Sequence, residues 1–152
     1  MEVIIGSDHH GIELKARLVE HLESIGHTCE DIGTHSPDPI DYPDVALEVA
    51  EKIALEKYNH GILICGTGIG MAITANKVPG VRAAQVHDVY SAERARKIND
   101  AQIITLGAQV IGEETAMMLL DAWLASDFSG GRSALKVEKI QAIDEKYRLP
   151  LN

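Results

Sequence analysis

The sequence is poor in cysteine, in aromatic residues and in positive charge, and it has no long apolar run. Its two cysteines, Cys29 and Cys65, make neither a metal-type spacing nor a disulfide framework, so a reducing compartment is the simple reading. Lysine and arginine number 14 against 23 aspartate and glutamate, a net charge of −9, which argues against a nucleic-acid or membrane surface. An anionic ligand would need a local positive site against that field. The richest apolar stretch, Ala116 to Ala125, is interrupted by Asp121 and is too short to span a bilayer. The start, Met1-Glu2-Val3-Ile4-Ile5-Gly6, has no basic region, which is not the pattern of a signal peptide. The expected location is cytoplasmic. No metal-binding cluster, internal repeat, low-complexity segment or linker is visible, so residues 1–152 read as a single domain.

What is present alternates β-branched runs with amphipathic helices, the pattern of parallel βαβ units. Val3–Ile5, Thr28–Ile32, Gly61–Cys65, Val81–Val86 and Ile103–Leu106 read as strands. Helices are expected around Leu14, Leu18, Leu22 and Ile25, with Gly26 as a stop. Further helices follow Pro43, then span Ile69–Asn76, Val89–Ile98 and Glu113–Ala125. A last helix, 133–148, spaces Val137, Ile140, Ile143 and Tyr147 to dock on the domain or on a partner subunit. The fold class is α/β: a Rossmann-like three-layer α/β/α sandwich with a five-stranded parallel sheet. Ligands of such sheets bind beyond the carboxyl ends of the strands. The residues to watch are therefore Asp8, His9, His10, Cys65 to Gly70, His87 and Asp88.

Cys65-Gly66-Thr67-Gly68-Ile69-Gly70 runs from a buried strand into a helix. Three glycines allow a sharp turn and leave amide N–H groups to face a ligand, and the helix N-terminus adds to their pull on an oxyanion or phosphate. The loop does not fit the dinucleotide pattern, since Met71 stands where the third glycine belongs, and it is no P-loop. A nucleotide-binding oxidoreductase is disfavoured accordingly. Cys65 reads two ways: a small buried hydrophobe at a strand end, or a thiol beside a helix N-terminus that can act as base or nucleophile. Asp8 likewise reads as a helix cap or as a ligand-binding carboxylate.

Taken together, the chain resembles the family of type B ribose-5-phosphate isomerases and galactose-6-phosphate isomerase subunits. The resemblance rests on Gly6-Ser7-Asp8-His9, Asp41-Tyr42-Pro43, Gly61 through Gly70, Ala75-Asn76-Lys77, Gly80-Val81-Arg82-Ala83, Asn99-Asp100-Ala101 and Gly130-Gly131-Arg132, in order along nearly the whole chain. It implies an aldose–ketose isomerase working through a cis-enediolate, with ribose 5-phosphate/ribulose 5-phosphate as the family's substrate pair and no cofactor or metal. Cys65 then matches the base and Thr67 the residue that assists proton movement. Asp8 and Tyr42 would bind the sugar, the amides of Gly66, Gly68, Ile69 and Gly70 the enediolate, and His9, Arg132 and Lys136 the phosphate. Asn99 would reach the substrate from the partner subunit of a homodimer with its sites at the interface, alone or as a dimer of dimers.

Three positions depart from that pattern. Ile98 replaces the histidine that opens the sugar ring, Gln109 a basic residue, and Lys136 a second arginine, which keeps charge without a planar fork. His87, at a strand end, is the candidate replacement for the ring-opening acid. Ile98 also suits a tetrose 4-phosphate, which cannot close a furanose ring because its only suitable oxygen is esterified; a hexose phosphate is a further alternative. A non-catalytic phosphosugar-binding protein is the competing class. His10 has no matched role and reads as a surface residue, and His21, His27, His35 and His60 read as solvated.

Overall fold

Every strand is short and is followed by a helix, a connection long enough to bring the chain back for parallel pairing. The computed structural model describes residues 1–148; the last four residues of the expected 1–152 domain lie outside it. The elements are β1 (Glu2–Ser7), a single 3-10 turn (His9–Gly11), α1 (Ile12–Ser24), β2 (Thr28–Gly33), α2 (Tyr42–Ala54), β3 (Gly61–Cys65), α3 (Ile69–Ala75), β4 (Ala83–Gln85), α4 (Val89–Lys97), β5 (Ile103–Gly107), α5 (Glu113–Leu124) and α6 (Arg132–Tyr147). All strands are parallel, in the order β2-β1-β3-β5-β4.

The two-residue period of the strands divides their side chains between two apolar layers. Val3, Ile5, Ile62, Ile64, Ile104 and Leu106 pack with residues of α1, α4 and α5. Ile4, Leu63, Cys65 and Ile103 pack with α2 and α3. This is the expected α/β/α sandwich. No helix among the described residues is long and apolar enough to cross a membrane.

The strand order reverses between β1 and β3, because β2 lies to one side of β1 and the rest of the sheet to the other. The ends of these two strands are in step, Ser7 beside Ile64, and the Asp8 N–H donates to the Ile64 carbonyl at 3.2 Å. Asp8 and Cys65 thus emerge side by side at the switch point, where open α/β sheets bind ligands.

The structure departs from the sequence-based expectation in three places. β4 is three residues long rather than six, since the Arg82 N–H goes to the Gln102 side chain at 2.8 Å instead of a strand partner. On α6 only Val137 of the expected docking stripe is buried; Ile140, Ile143 and Tyr147 are 43, 60 and 72% exposed. The helix is tied to the chain by the Gly80 N–H, which donates to Asp144 at 2.6 Å. His60 is not a solvated histidine: its ring meets the buried Trp123 edge-on, with centroids 4.9 Å apart.

Burial of His60, reinforced by the positive charge of Arg96, pushes its imidazole down to about 4. The unfolded chain would take up this proton near pH 6.5 and the folded chain only near pH 4. The unfolded state therefore binds more protons between those values, and stability falls as pH drops through that window. Urea unfolding of wild type and His60→Gln at pH 7 and pH 5 should show the variant losing about 1 kcal/mol less over that step, after allowance for partial solvent screening. Equal losses would show that His60 does not carry the effect.

Candidate active site

A cleft of about 760 Å³ opens at the carboxyl edge of β1 and β3. Asp8, His9, Tyr42, Cys65, Gly66, Thr67, Ile69 and Gly70 line it, which gathers most of the expected site residues. Cys65 is 5% exposed, yet it turns toward the glycine loop: the Gly68 N–H donates to its sulfur at 3.1 Å. Gly68 has φ of +77°, and an added Cβ would come within 2.9 Å of the Leu106 backbone. Only glycine satisfies both conditions.

The loop's peptide planes are fixed from both sides. The Thr67 carbonyl accepts from the Gln85 side chain at 2.8 Å, so the N–H of the same plane, that of Gly68, points back at the sulfur. The buried Thr105 hydroxyl donates to the Gly68 carbonyl at 2.7 Å, and the next N–H, that of Ile69, donates to the Thr67 hydroxyl at 3.2 Å. The carbonyls of Cys65 and Gly66 accept from the N–H groups of Ala108 and Gln109 at 2.9 and 3.0 Å. Their partner N–H groups, on Gly66 and Thr67, consequently point the opposite way. Among the described residues the N–H groups of Gly66, Thr67 and Gly70 have no hydrogen-bond acceptor. The amides expected on Gly68 and Ile69 are already engaged within the loop. Since α3 has seven residues, its dipole is short, and the oriented loop amides add their own pull on an anion.

The walls follow the same economy. Asp8 makes the cap contact the sequence allowed, one carboxylate oxygen accepting from the His10 N–H at 2.9 Å, and it also lines the cleft. The Tyr42 ring lies against Gly70, where an added Cβ would sit 2.4 Å from a ring carbon. His9 Nδ1 accepts from the Ile40 N–H at 3.1 Å, which places its proton on Nε2. Thr67, its oxygen already accepting, keeps its hydroxyl proton to donate.

Other expected residues stand elsewhere. His87 lies outside the cleft lining, and its Nε2 accepts from the Gly107 N–H at 3.0 Å. Arg132 and Lys136 line a separate groove of about 430 Å³ on α6. Asn99 lies in the turn between α4 and β5, at the amino edge of the sheet. The segment leading into α6 is held at that same edge, the Ser129 N–H donating to the Lys97 carbonyl at 3.1 Å. β5 has five residues, so roughly 16 Å of strand separates this edge from Cys65. Sequence reasoning missed Ile40, Asp44 and Ile73 in the lining; His10 is among the residues to watch but reads as a surface residue without a role, and Gln109 reads only as a lost basic residue.

The chain matches the model of the Ribose/Galactose Isomerase family over residues 3–140. It belongs to that family. It is 54% identical to the ribose-5-P isomerase B of Listeria innocua, over 97% of this chain and all of that one. It is also 52% identical to the D-erythrulose-4-phosphate isomerase of Pectobacterium atrosepticum, over 92% and 93% of the two chains. The solved ribose-5-phosphate isomerase B of Clostridium thermocellum superposes with a TM-score of 0.94 at 46% identity, over 97% of this chain and 99% of that chain. As a member of the ribose/galactose isomerase family the chain is a sugar-phosphate isomerase.

Thiol chemistry separates the two cysteines. Burial pushes the Cys29 thiol up to about 11, helped by the nearby charges of Glu23 and Asp31, and only thiolates alkylate. Iodoacetamide at pH 8 followed by peptide mass spectrometry should modify Cys65 first, and a saturating sugar phosphate should slow it. Preferential labelling of Cys29 would contradict access to Cys65 through the cleft it lines.

Proposed function

We propose that this chain interconverts ribose 5-phosphate and ribulose 5-phosphate in the cytoplasm, with Cys65 as the base. The reading is carried by one observation: the Cys65 sulfur, 3.1 Å from the Gly68 N–H, sits on a cleft wall beside three unpaired amides. Cys65 takes the proton from the carbon next to the carbonyl and returns it to the neighbouring carbon. The Gly68 N–H stabilises negative charge on sulfur while the N–H groups of Gly66, Thr67 and Gly70 hold the enediolate. A well-placed donor of this kind contributes about 3 kcal/mol to the transition state. The Thr67 hydroxyl passes a proton between the two substrate oxygens. Asp8 and Tyr42 bind the sugar, and His9 donates from Nε2 to the phosphate.

Asn99, Arg132 and Lys136 complete the site from a second copy. Within one chain Asn99 and the start of α6 lie at the opposite edge of the sheet from Cys65, whereas a homodimer, alone or paired again, brings one chain's amino edge to the other's cleft. The exposed face of α6, with Leu135, Ile140, Ile143 and Tyr147, is the surface available for such docking.

A second substrate has its own support. Ile98 cannot transfer a proton, and the Nε2 of His87 is occupied by Gly107, so neither is ready to open a sugar ring. A tetrose 4-phosphate needs no ring opening, and a D-erythrulose-4-phosphate isomerase is among the similar proteins. Parallel assays on tetrose, pentose and hexose phosphates choose between them, and a preference for the tetrose would displace ribose 5-phosphate. The non-catalytic alternative is not favoured, since the named relatives are isomerases.

Cys65→Ala should lower kcat about a thousandfold, as loss of a general base does, and should abolish deuterium uptake from solvent into the substrate. Retained exchange would remove Cys65 from the mechanism. Mixing Cys65→Ala with Arg132→Ala, each inactive alone, should restore about a quarter of the sites through heterodimers; no recovery would mean that Arg132 does not act across chains.

A further inference from the structure

The cleft confronts an anionic substrate with carboxylates. Asp8, Asp41 and Asp44 line it, and among the described residues of the same chain no lysine or arginine does. Apart from cations brought by another copy, the phosphate must rely on N–H donors, and two adjacent imidazoles tilted against each other offer them. His9 and His10 have ring centroids 4.2 Å apart, and both line the cleft.

Each ring is tied at Nδ1. That of His9 accepts from the Ile40 N–H at 3.1 Å. That of His10 faces the amide nitrogen of Gln109 at 3.4 Å, and an amide nitrogen can only donate. A neutral imidazole carries one proton, so in both rings it resides on Nε2. Two adjacent rings therefore each carry their N–H at Nε2, their tautomers set by groups outside the rings. Gln109 is itself placed by the loop: its backbone N–H donates to the Gly66 carbonyl at 3.0 Å, and its side chain lies 2.9 Å from where a Gly66 Cβ would be.

We propose that His10, held in its Nε2-protonated tautomer by Gln109, is a second phosphate-binding imidazole working beside His9. The proposal deepens the isomerase reading and rests on it only for the substrate being a phosphosugar. Gln109 acts through His10 and is a positioning residue.

The test titrates inorganic phosphate calorimetrically into wild type, His10→Ala, His10→Gln and Gln109→Leu, and measures kcat and KM of the same proteins on ribose 5-phosphate. Loss of a hydrogen bond to a charged group predicts weakening of phosphate binding by about tenfold or more in His10→Ala. KM should rise by a similar factor with kcat within about twofold, because the contact is present in ground and transition states alike. His10→Gln, which keeps an N–H donor, should recover part of the affinity. Gln109→Leu should lose less than His10→Ala and add nothing to it in the double variant, as expected for one shared contact. Imidazole nitrogen NMR should show the Nε2-protonated form of His10 in wild type and a mixture of tautomers in Gln109→Leu. Unchanged phosphate affinity in folded His10→Ala overturns the proposal, as does an Nδ1-protonated His10. Should wild type bind phosphate through His10 yet exchange no substrate hydrogen, the isomerase reading fails while this one stands.

Discussion

The contact between the Gly68 N–H and the Cys65 sulfur sets the geometry of everything else in the cleft. It is possible because the loop reverses at a residue with positive φ, and because the backbone of β5 comes too close at that point for any side chain. Once the sulfur takes that one amide, the planarity of the neighbouring peptides determines where the others point. Gln85 and Thr105, from the two neighbouring strands at this side of the sheet, hold the loop carbonyls and so aim the loop amides. The cradle is thus an outgrowth of the sheet rather than a free-standing motif. Preorganised donors of this kind need no reorientation as charge develops on a substrate.

The second organising constraint is register. Parallel strands whose ends stay in step bring Asp8 against the end of β3, and a backbone hydrogen bond locks the juxtaposition. The opposite edge of the same sheet gathers a different set. Asp100 there adopts φ of +48° and bridges Arg82 and Arg96 at 3.1 and 3.2 Å, while the Asn99 carbonyl accepts from Arg82 at 3.1 Å. Asn99-Asp100-Ala101 is therefore a braced turn that presents an exposed asparagine. One fold places the thiol, the Thr67 hydroxyl and the open amides at one edge and Asn99 with the start of α6 at the other.

Much of this was legible in the sequence. The strand Gly61–Cys65 ends where its apolar run meets glycine, and the helix phases of α1, α2 and α5 follow from three- and four-residue spacings. The residues after the ends of β1 and β3 line a cleft, as parallel topology leads one to expect. What stayed hidden depends on packing between distant segments. Thr105 looks like an ordinary β-branched core residue, and nothing local shows that its hydroxyl is spent on Gly68. Gln109 reads as the mere loss of a positive charge until His10, some hundred positions earlier, is seen against it. His60 reads as solvated because Trp123 is far along the chain. The α6 stripe was correctly periodic, but periodicity reports that a face is apolar and not which molecule covers it.

The apolar residues left open along α6 have a further consequence if a second copy covers them. On the proposed mechanism catalysis then becomes a property of a concentration as well as of a sequence, because a lone chain would hold the thiol and the amides without the far edge's asparagine and arginine. Dilution below the pairing constant would silence each chain without unfolding it, and whatever raises the local abundance of the protein would restore turnover by mass action alone.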